Sequence, residues 1–200
     1  MENFADLYSD YLISSSSYAT STGMANLLSI KHDKITRELS NGDYDSKFLW
    51  KQSKVYVKEL TQSKELITLS FDDSIEEKRY TDESELHCWH FDHTFGKSVR
   101  GVNFLTALIE VGTMRLPCAV EFVKKDLWKK DPKTGKEKRK SSVSKNELFR
   151  KMLRECNGKF RFDYVLADSW YSSNENMNCC KKELNNDFIM ALKSNRKVAL

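Results

Sequence analysis

Aspartates occupy two places in the sequence where a predicted strand ends in a loop. Asp72 and Asp73 follow the β-branched and aromatic residues 66–71, and Asp168 follows the apolar residues 162–167. Strands in this order can lie side by side in a mixed sheet, which would bring the carboxylates together. Oxygen ligands at a strand end suit Mg²⁺ or Mn²⁺ better than zinc, so these aspartates are candidate metal ligands.

Carboxylates placed in this way could serve phosphodiester chemistry. Two divalent ions about 3.5–4 Å apart can activate an attacking oxygen and stabilise a leaving one. The structural alternative is that aspartate often begins turns. Side chains alternate faces along a strand, so only one of Asp72 and Asp73 would be a ligand if the strand persists. The alternation leaves both of them as candidates.

A second group of possible ligands lies between residues 87 and 93, and it consists of His87, Cys88, His90, Asp92 and His93. A structural zinc site usually needs four nitrogen or sulfur ligands in spaced pairs. In a strand, His87 and His93 would face one side, and Cys88 and His90 the other. We therefore favour packing and hydrogen bonding near the candidate cleft over a zinc site.

Positive charge is concentrated between residues 124 and 151, where twelve Lys or Arg stand against four Asp or Glu. The whole chain has a net charge of +4, so the remainder is net negative. Residues 124–142 lack an apolar period and contain Pro132 and Gly135, which predicts an exposed loop. A contact with the DNA backbone is the functional interpretation, and a solvated loop is the alternative. The candidate DNA-binding residues are Lys129, Lys130, Lys133, Lys136, Lys138, Arg139 and Lys140.

Length and composition limit the class of protein. The chain has 200 residues and 40% hydrophobic content, enough for one average packed domain with or without a short appendage. No run of about 18 apolar residues is present, so no membrane-spanning helix is predicted. The first ten residues are acidic and amphipathic, unlike an export signal. The expected location is therefore cytoplasmic, with the five scattered cysteines as reduced thiols.

Two regions are predicted from the periodicity. Residues 1–62 read as several short helices, beginning with the apolar stripe Phe4, Leu7, Tyr8, Tyr11 and Leu12. They form either a DNA-binding module or a packing appendage. Residues 63–200 follow the order three strands, helix, strand, helix, strand, with a further short strand possible at 87–91. That order predicts an α/β domain with a five-strand mixed sheet.

Several motifs taken together resemble the catalytic region of DDE transposases from bacterial insertion sequences. They are SFDDSIEEK at 70–78, CWHFDH at 88–93, VRGVN at 99–103, VLADSWYSS at 165–173 and FIMALKSNR at 188–196. The resemblance covers the chain from about residue 66 to its end and more loosely the helical start. It implies a ribonuclease-H-like mixed sheet, which agrees with the strand order, and a bacterial protein associated with the nucleoid.

The resemblance also implies a reaction and its residues. Asp72 would be the first catalytic and metal-binding aspartate, with Asp73 as the alternative, and Asp168 the second. In the family these two and a glutamate hold two Mg²⁺ (or Mn²⁺) ions. Water attacks the phosphodiester at the transposon end, and the freed 3′-OH attacks target DNA. Transposon ends, target DNA and further copies of the chain are the implied partners.

One departure from the family pattern is serious. The third carboxylate belongs on a helix well beyond residue 192, and no matching pattern is present; Glu175 and Glu183 come too early. We therefore expect the front part of a transposase, with the C-terminal part of the domain missing, inactive alone. It would be a truncated gene copy, part of a frameshifted gene or a partial record. The alternatives are a ribonuclease-H-like nuclease that cleaves without joining, and a non-catalytic DNA-binding remnant.

Overall fold

The N-terminal helices form a compact unit of their own. In the computed structural model, which describes residues 4–16, 18–132 and 134–194, the chain divides into residues 1–44 and 45–200. The first unit contains α1 (Phe4–Ser14), α2 (Ser21–Leu28) and α3 (His32–Asn41) around the buried side chains of Tyr11, Met24 and Ile35. The Tyr11 hydroxyl donates to the Thr20 carbonyl at 3.0 Å and accepts from the Thr20 amide at 3.1 Å. The predicted helical start is present.

The fourth helix belongs to the second unit, whereas the sequence analysis grouped it with the N-terminal helices in residues 1–62. α4 (Ser46–Leu60) begins at Asp45, whose carboxylate accepts the amides of Lys47 and Phe48. Its Val57 side chain is fully buried in the core of the sheet domain. Apolar periodicity predicts that a helix forms here, but it does not specify which element covers the apolar face.

The second unit is built on a six-stranded mixed sheet. After α4 the elements are β1 (Ile67–Glu77), β2 (His87–Asp92), β3 (Lys97–Val111), β4 (Met114–Phe122), β5 (Leu127–Lys130), β6 (Glu137–Lys140), α5 (Lys145–Asn157), β7 (Tyr164–Ala167), α6 (Asn174–Asn178), a π-helical turn (Cys179–Glu183) and β8 (Asp187–Met190). The sheet order is β2-β3-β1-β7-β8, and β4 also pairs with β3. β1 pairs antiparallel with β3 and parallel with β7. The predicted α/β mixed sheet is confirmed; the sixth strand is β2, which pairs with one end of β3.

The lysine-rich segment is a β-hairpin, so the loop prediction for residues 124–142 is wrong. β5 and β6 pair antiparallel as a separate two-stranded sheet. Trp128 lies opposite Arg139, and the guanidinium stacks on the indole ring at 4.4 Å from its centroid. This cross-strand contact stabilises pairing between strands that have almost no apolar residues to bury.

The two faces of the large sheet differ. One face is buried beneath α4 and α5, with Leu69, Phe71, Leu105, Phe149 and Leu153 in its core. α5 begins with the predicted capping box of Ser144 and Glu147, which fixes where the helix starts relative to the sheet. The opposite face carries the alternate side chains of the same strands, and these are half-buried or exposed. No helix within the described residues is long and apolar enough to cross a membrane.

Candidate active site

The two predicted aspartates lie next to each other on neighbouring parallel strands. β1 and β7 pair with Phe71 opposite Ala167. Asp72 is the next residue of β1, and Asp168 directly follows β7. The register is fixed at the other end of the pairing: the Ile67 amide donates to the Asp163 carboxylate at 2.8 Å, and the Asp163 amide donates to the Ile67 carbonyl at 2.8 Å. Both strands advance at nearly the same rise per residue. These two hydrogen bonds therefore place Asp72 and Asp168, each five residues further along, at the same level.

Asp72 and Asp73 lie within a strand, which corrects the expectation that the strand ends before them. β1 continues to Glu77 and stays paired with β3 as far as Gly101. A Cβ atom at Gly101 would lie 2.2 Å from the Glu76 carbonyl oxygen, so only glycine permits this close approach. The strand therefore persists, and the two neighbouring carboxylates lie on opposite faces of the sheet.

Asp72 lies on the open face beside Asp168. Burial raises the pKa of the Asp72 carboxyl, and the charges of Asp73 and Asp168 raise it further, against the opposing effects of the Asp73 amide and Lys145. One oxygen of Asp72 accepts the Asp73 amide at 2.8 Å, and one oxygen of Asp168 accepts the Trp170 amide at 2.9 Å. Each carboxylate is thus oriented through one oxygen, and their mutual repulsion favours a bound cation.

Asp73 lies on the core face and is held by neighbouring side chains. It forms an ion pair with Lys145 and accepts the Tyr171 hydroxyl at 2.8 Å, while the Asn103 amide lies 3.5 Å away. Tyr171 is fully buried, and burial followed by the Asp73 charge raises the pKa of its phenol. These contacts use both oxygens of Asp73, which makes Asp72 the better placed of the two as a metal ligand.

These side chains line one cavity of about 620 Å³. Asp72, Asp73 and Asp168 contribute to its wall, together with Asp92 and Lys145. Within the described residues, no three His, Cys, Asp or Glu side chains are grouped closely enough to hold a metal ion. Asp72 and Asp168 are two carboxylates, which is fewer than such a group requires, so a complete metal site would need a further ligand.

Sequence reasoning missed Lys145 and Tyr171. Lys145 is the first residue of α5, directly after the capping serine, so the capping box locates it at a helix start. The pattern does not show that this helix starts beside β1. Tyr171 follows Asp168 closely in sequence, but its role depends on Asp73, which is distant in the chain. Both contacts arise from tertiary packing.

The histidines and the cysteine of β2 contact neighbouring protein groups. The His87 ring nitrogens lie 2.9 Å from the Asp82 carbonyl and 2.7 Å from the Lys78 carbonyl. Cys88 Sγ lies 3.4 Å from His90 Nε2, and both side chains are buried. Burial, and then the charges of nearby lysines, lowers the pKa of His90 to about 4. These contacts are consistent with the interpretation of the group as packing and hydrogen bonding.

The two glutamates that follow Asp168 lie outside the cavity. Glu175 and Glu183 line a different depression, together with Arg150 and Arg154. Arg154 donates to both carboxylate oxygens of Glu183, at 2.5 and 2.8 Å. The structure therefore does not bring either glutamate to Asp72 and Asp168.

The basic hairpin presents charge on its surface. Lys129 lies directly opposite Lys138, and Asp131 pairs with Lys138 at 2.7 Å. Arg139 is half-buried through its contacts with Trp128 and Glu83. The other predicted DNA-binding residues that the structure describes are exposed, namely Lys130, Lys136 and Lys140. Lys133 lies outside the described residues.

The fold is a mixed α/β sheet with helices, as the strand order predicts. The family model of the DDE superfamily endonucleases matches residues 2–200. The chain belongs to this family. A search among curated protein sequences found no match.

Three solved structures are similar to the chain at low identity. The Drosophila P element transposase strand transfer complex matches with a TM-score of 0.36 and 12% identity, over 95% of this chain and 41% of that chain. The Mos1 strand transfer complex matches with a TM-score of 0.30 and 10% identity, over 96% and 59%. A pre-cleavage Mos1 transpososome matches with a TM-score of 0.25 and 9% identity, over 93% and 58%. The chain thus spans less than two thirds of the length of these proteins.

Proposed function

We propose that this chain is the catalytic part of a DNA transposase of an insertion sequence, with Asp72 and Asp168 as its metal-binding pair. The observation that carries the proposal is the alignment of these carboxylates across β1 and β7 in one cavity. Membership of the DDE superfamily endonucleases supports the choice of a phosphodiester substrate. The reaction would be cleavage of DNA at the transposon end, followed by transfer of the freed strand to target DNA.

The residues of the site would act mainly by positioning. Asp72 and Asp168 would hold Mg²⁺ or Mn²⁺, which supplies Lewis-acid activation of the attacking oxygen and stabilisation of the leaving one. The Trp170 amide orients Asp168. Lys145 offsets the charge of Asp73 and lies on the cavity wall, where a DNA phosphate would meet it. A second ion, as in the complete family site, requires a carboxylate beyond those gathered here.

The basic hairpin would contact the DNA backbone. Lys129 and Lys138 lie directly opposite each other in the hairpin, and like charges in such a pair lower its stability. A phosphate bound between the two ammonium groups would remove this repulsion. Arg139 of the hairpin pairs with Glu83 in the segment before β2. Just before the hairpin, the Lys125 ammonium donates to the Trp89 carbonyl of β2 at 2.5 Å. Because β2 ends at the cavity, DNA on the hairpin would continue toward Asp72.

The remaining parts of the proposal concern assembly. The helical unit of residues 1–44 would recognise transposon ends, and the complete transposase would act as a homo-oligomer on two DNA partners. Its work on chromosomal DNA would place it in the bacterial cytoplasm at the nucleoid. End-specific binding that persists when residues 1–44 are deleted, with the sheet domain still folded, would contradict the assignment to the helical unit.

Mn²⁺ binding tests the metal pair directly. We expect Asp72→Asn and Asp168→Asn each to weaken Mn²⁺ affinity at least tenfold in isothermal titration, since each removes one of two charged ligands. Glu76→Gln is the matched control: it lies on the same face of β1 but outside the cavity, and its affinity should equal that of the wild type. Equal affinity in all four proteins would refute the assignment.

Reaction products separate the proposal from its alternatives. A transposase joins a 3′-OH end to a second duplex, whereas a nuclease only cleaves. A second candidate, DNA binding without cleavage by this chain, is favoured by the absence of a third metal-binding carboxylate among the residues described. We expect the purified chain to bind DNA and to leave supercoiled plasmid intact with Mg²⁺. Nicking that Asp72→Asn abolishes would show that the two carboxylates suffice.

Salt dependence tests the hairpin. We expect the double variant Lys129→Gln/Lys138→Gln to weaken DNA binding and to reduce the slope of log K against log salt by about one for each phosphate that a lysine no longer neutralises. The control is Lys51→Gln/Lys54→Gln, which removes the same charge from exposed positions of α4. An equal loss of affinity in both variants would assign the effect to net charge alone.

A further inference from the structure

Exposed aromatic rings surround the candidate active site. Phe91 and His93 at the end of β2 and Trp170 on the loop after β7 line the same cavity as Asp72 and Asp168. The ring centroids of Phe91 and His93 are 4.9 Å apart, and those of His93 and Trp170 are 5.4 Å apart. The three rings therefore form a continuous row along the wall of the cavity.

These rings are not part of either hydrophobic core. Phe91 is 53% exposed and Trp170 is 44% exposed. Trp89, two residues before Phe91 on the same face of β2, is also 55% exposed. An edge strand with large apolar side chains on its surface promotes aggregation. Such rings give no folding benefit comparable to burial, so a ligand is the better explanation.

Cations flank the row at its inner end. Lys193 Nζ lies 4.5 Å from the centroid of the Trp170 ring, and Lys145 Nζ lies 6.0 Å from it. An aromatic face with ammonium groups beside it suits a nucleotide, because the base can stack on the ring while its phosphates pair with the lysines. The Trp170 amide is bonded to the Asp168 carboxylate, which couples the ring position to the metal-binding pair.

A base within a duplex cannot use this surface. Both faces of a paired base are stacked on neighbouring bases, so a protein ring reaches only its edge. Stacking on Trp170 or Phe91 needs a base that is unpaired or turned out of the helix. We propose that the row of Phe91, His93 and Trp170 is a nucleobase-binding site, which holds an unpaired base next to the phosphate at Asp72 and Asp168. This inference rests on the proposed function.

The test compares two single strands with equal charge. Fluorescein-labelled dT15 and an abasic 15-mer with the same number of phosphates are titrated with the full chain at matched salt, and binding is followed by anisotropy. We expect dT15 to bind about tenfold tighter or more, because the abasic strand has no bases to stack. Trp170→Ala and Phe91→Ala should each bring the ratio of the two affinities, dT15 over abasic strand, close to one. Neither variant should change the affinity for the abasic strand.

Two further variants control for folding and for position. Trp170→Phe keeps an aromatic face and should retain most of the ratio, which separates stacking from a general disturbance of the loop. Tyr56→Ala removes an exposed ring from α4, outside the cavity, and should leave the ratio unchanged.

The outcomes separate the two proposals. Equal affinity of the wild type for both strands would overturn the nucleobase site while DNA binding by the chain stands. A ratio that persists in both Trp170→Ala and Phe91→Ala would place stacking elsewhere and also overturn it. No binding of either strand would overturn this inference together with DNA binding by the chain.

Discussion

Asp72 and Asp73 are identical in type and adjacent in sequence, yet the two faces of the sheet give them different tasks. Asp73 on the core face is held by Lys145 and Tyr171. Asp72 on the open face lies beside Asp168, and its pKa is raised by burial and by neighbouring negative charge. The first arrangement stabilises the fold, whereas the second costs stability and favours a cation. The comparison teaches that the direction of a side chain, more than its type, decides its role.

The strongest test of this comparison is the removal of Asp73. We expect Asp73→Ala to lower the free energy of unfolding by about 2–3 kcal/mol, because it leaves the Lys145 charge uncompensated and the buried Tyr171 hydroxyl without its acceptor. Urea denaturation measures the change. Asp72→Ala is the matched variant, and a loss of the same size in both would show that the two faces are equivalent.

Lowering the pH should reduce the free energy of unfolding, because His90 on the core face is buried in its neutral form. Its pKa is lowered to about 4, whereas an exposed histidine has about 6.5. Between these values the unfolded chain binds a proton that the folded chain does not, so the free energy of unfolding falls as the pH drops from 6.5 toward 4. We expect a loss of about 2 kcal/mol from this group. His90→Gln should flatten that part of the stability profile, and an unchanged profile would contradict the prediction.

The smallest expected effect on stability belongs to Asp72. A raised carboxyl pKa means that the ionised form is disfavoured in the folded state, so stability from this group falls as the pH rises through its titration. We expect Asp72→Asn to raise the free energy of unfolding at pH 7 by less than about 1 kcal/mol, because the site is partly screened by solvent. Thermal unfolding measures it. A clear destabilisation would mean that Asp72 supports the fold.

The sequence predicted the elements better than their contacts. Apolar periodicity located α1, and the capping pattern located the start of α5, because both depend on local residues. Side-chain alternation separated Asp72 from Asp73, but the extent of β1 depends on pairing with β3 and on Gly101. That pairing is not visible in the residues of β1 themselves.

The differences between the sequence analysis and the structure have a common physical cause. Lysine and proline made residues 124–142 look like a loop, whereas the stacking of Arg139 on Trp128 supports a hairpin. α4 looked like part of the helical start, whereas its Val57 is buried in the core of the sheet domain. In each case a partner distant in sequence outweighed the local pattern.

The parallel pairing of β1 with β7 has a consequence for how the protein folds. β1, β2, β3 and β4 follow one another in the chain and can pair early, but β7 reaches β1 only after β5, β6 and α5 have been passed. Closing so long a segment costs chain entropy before any contact repays it. We expect the two aspartates to meet late in refolding. A chain stopped before that step could retain its antiparallel strands and lack its carboxylate pair.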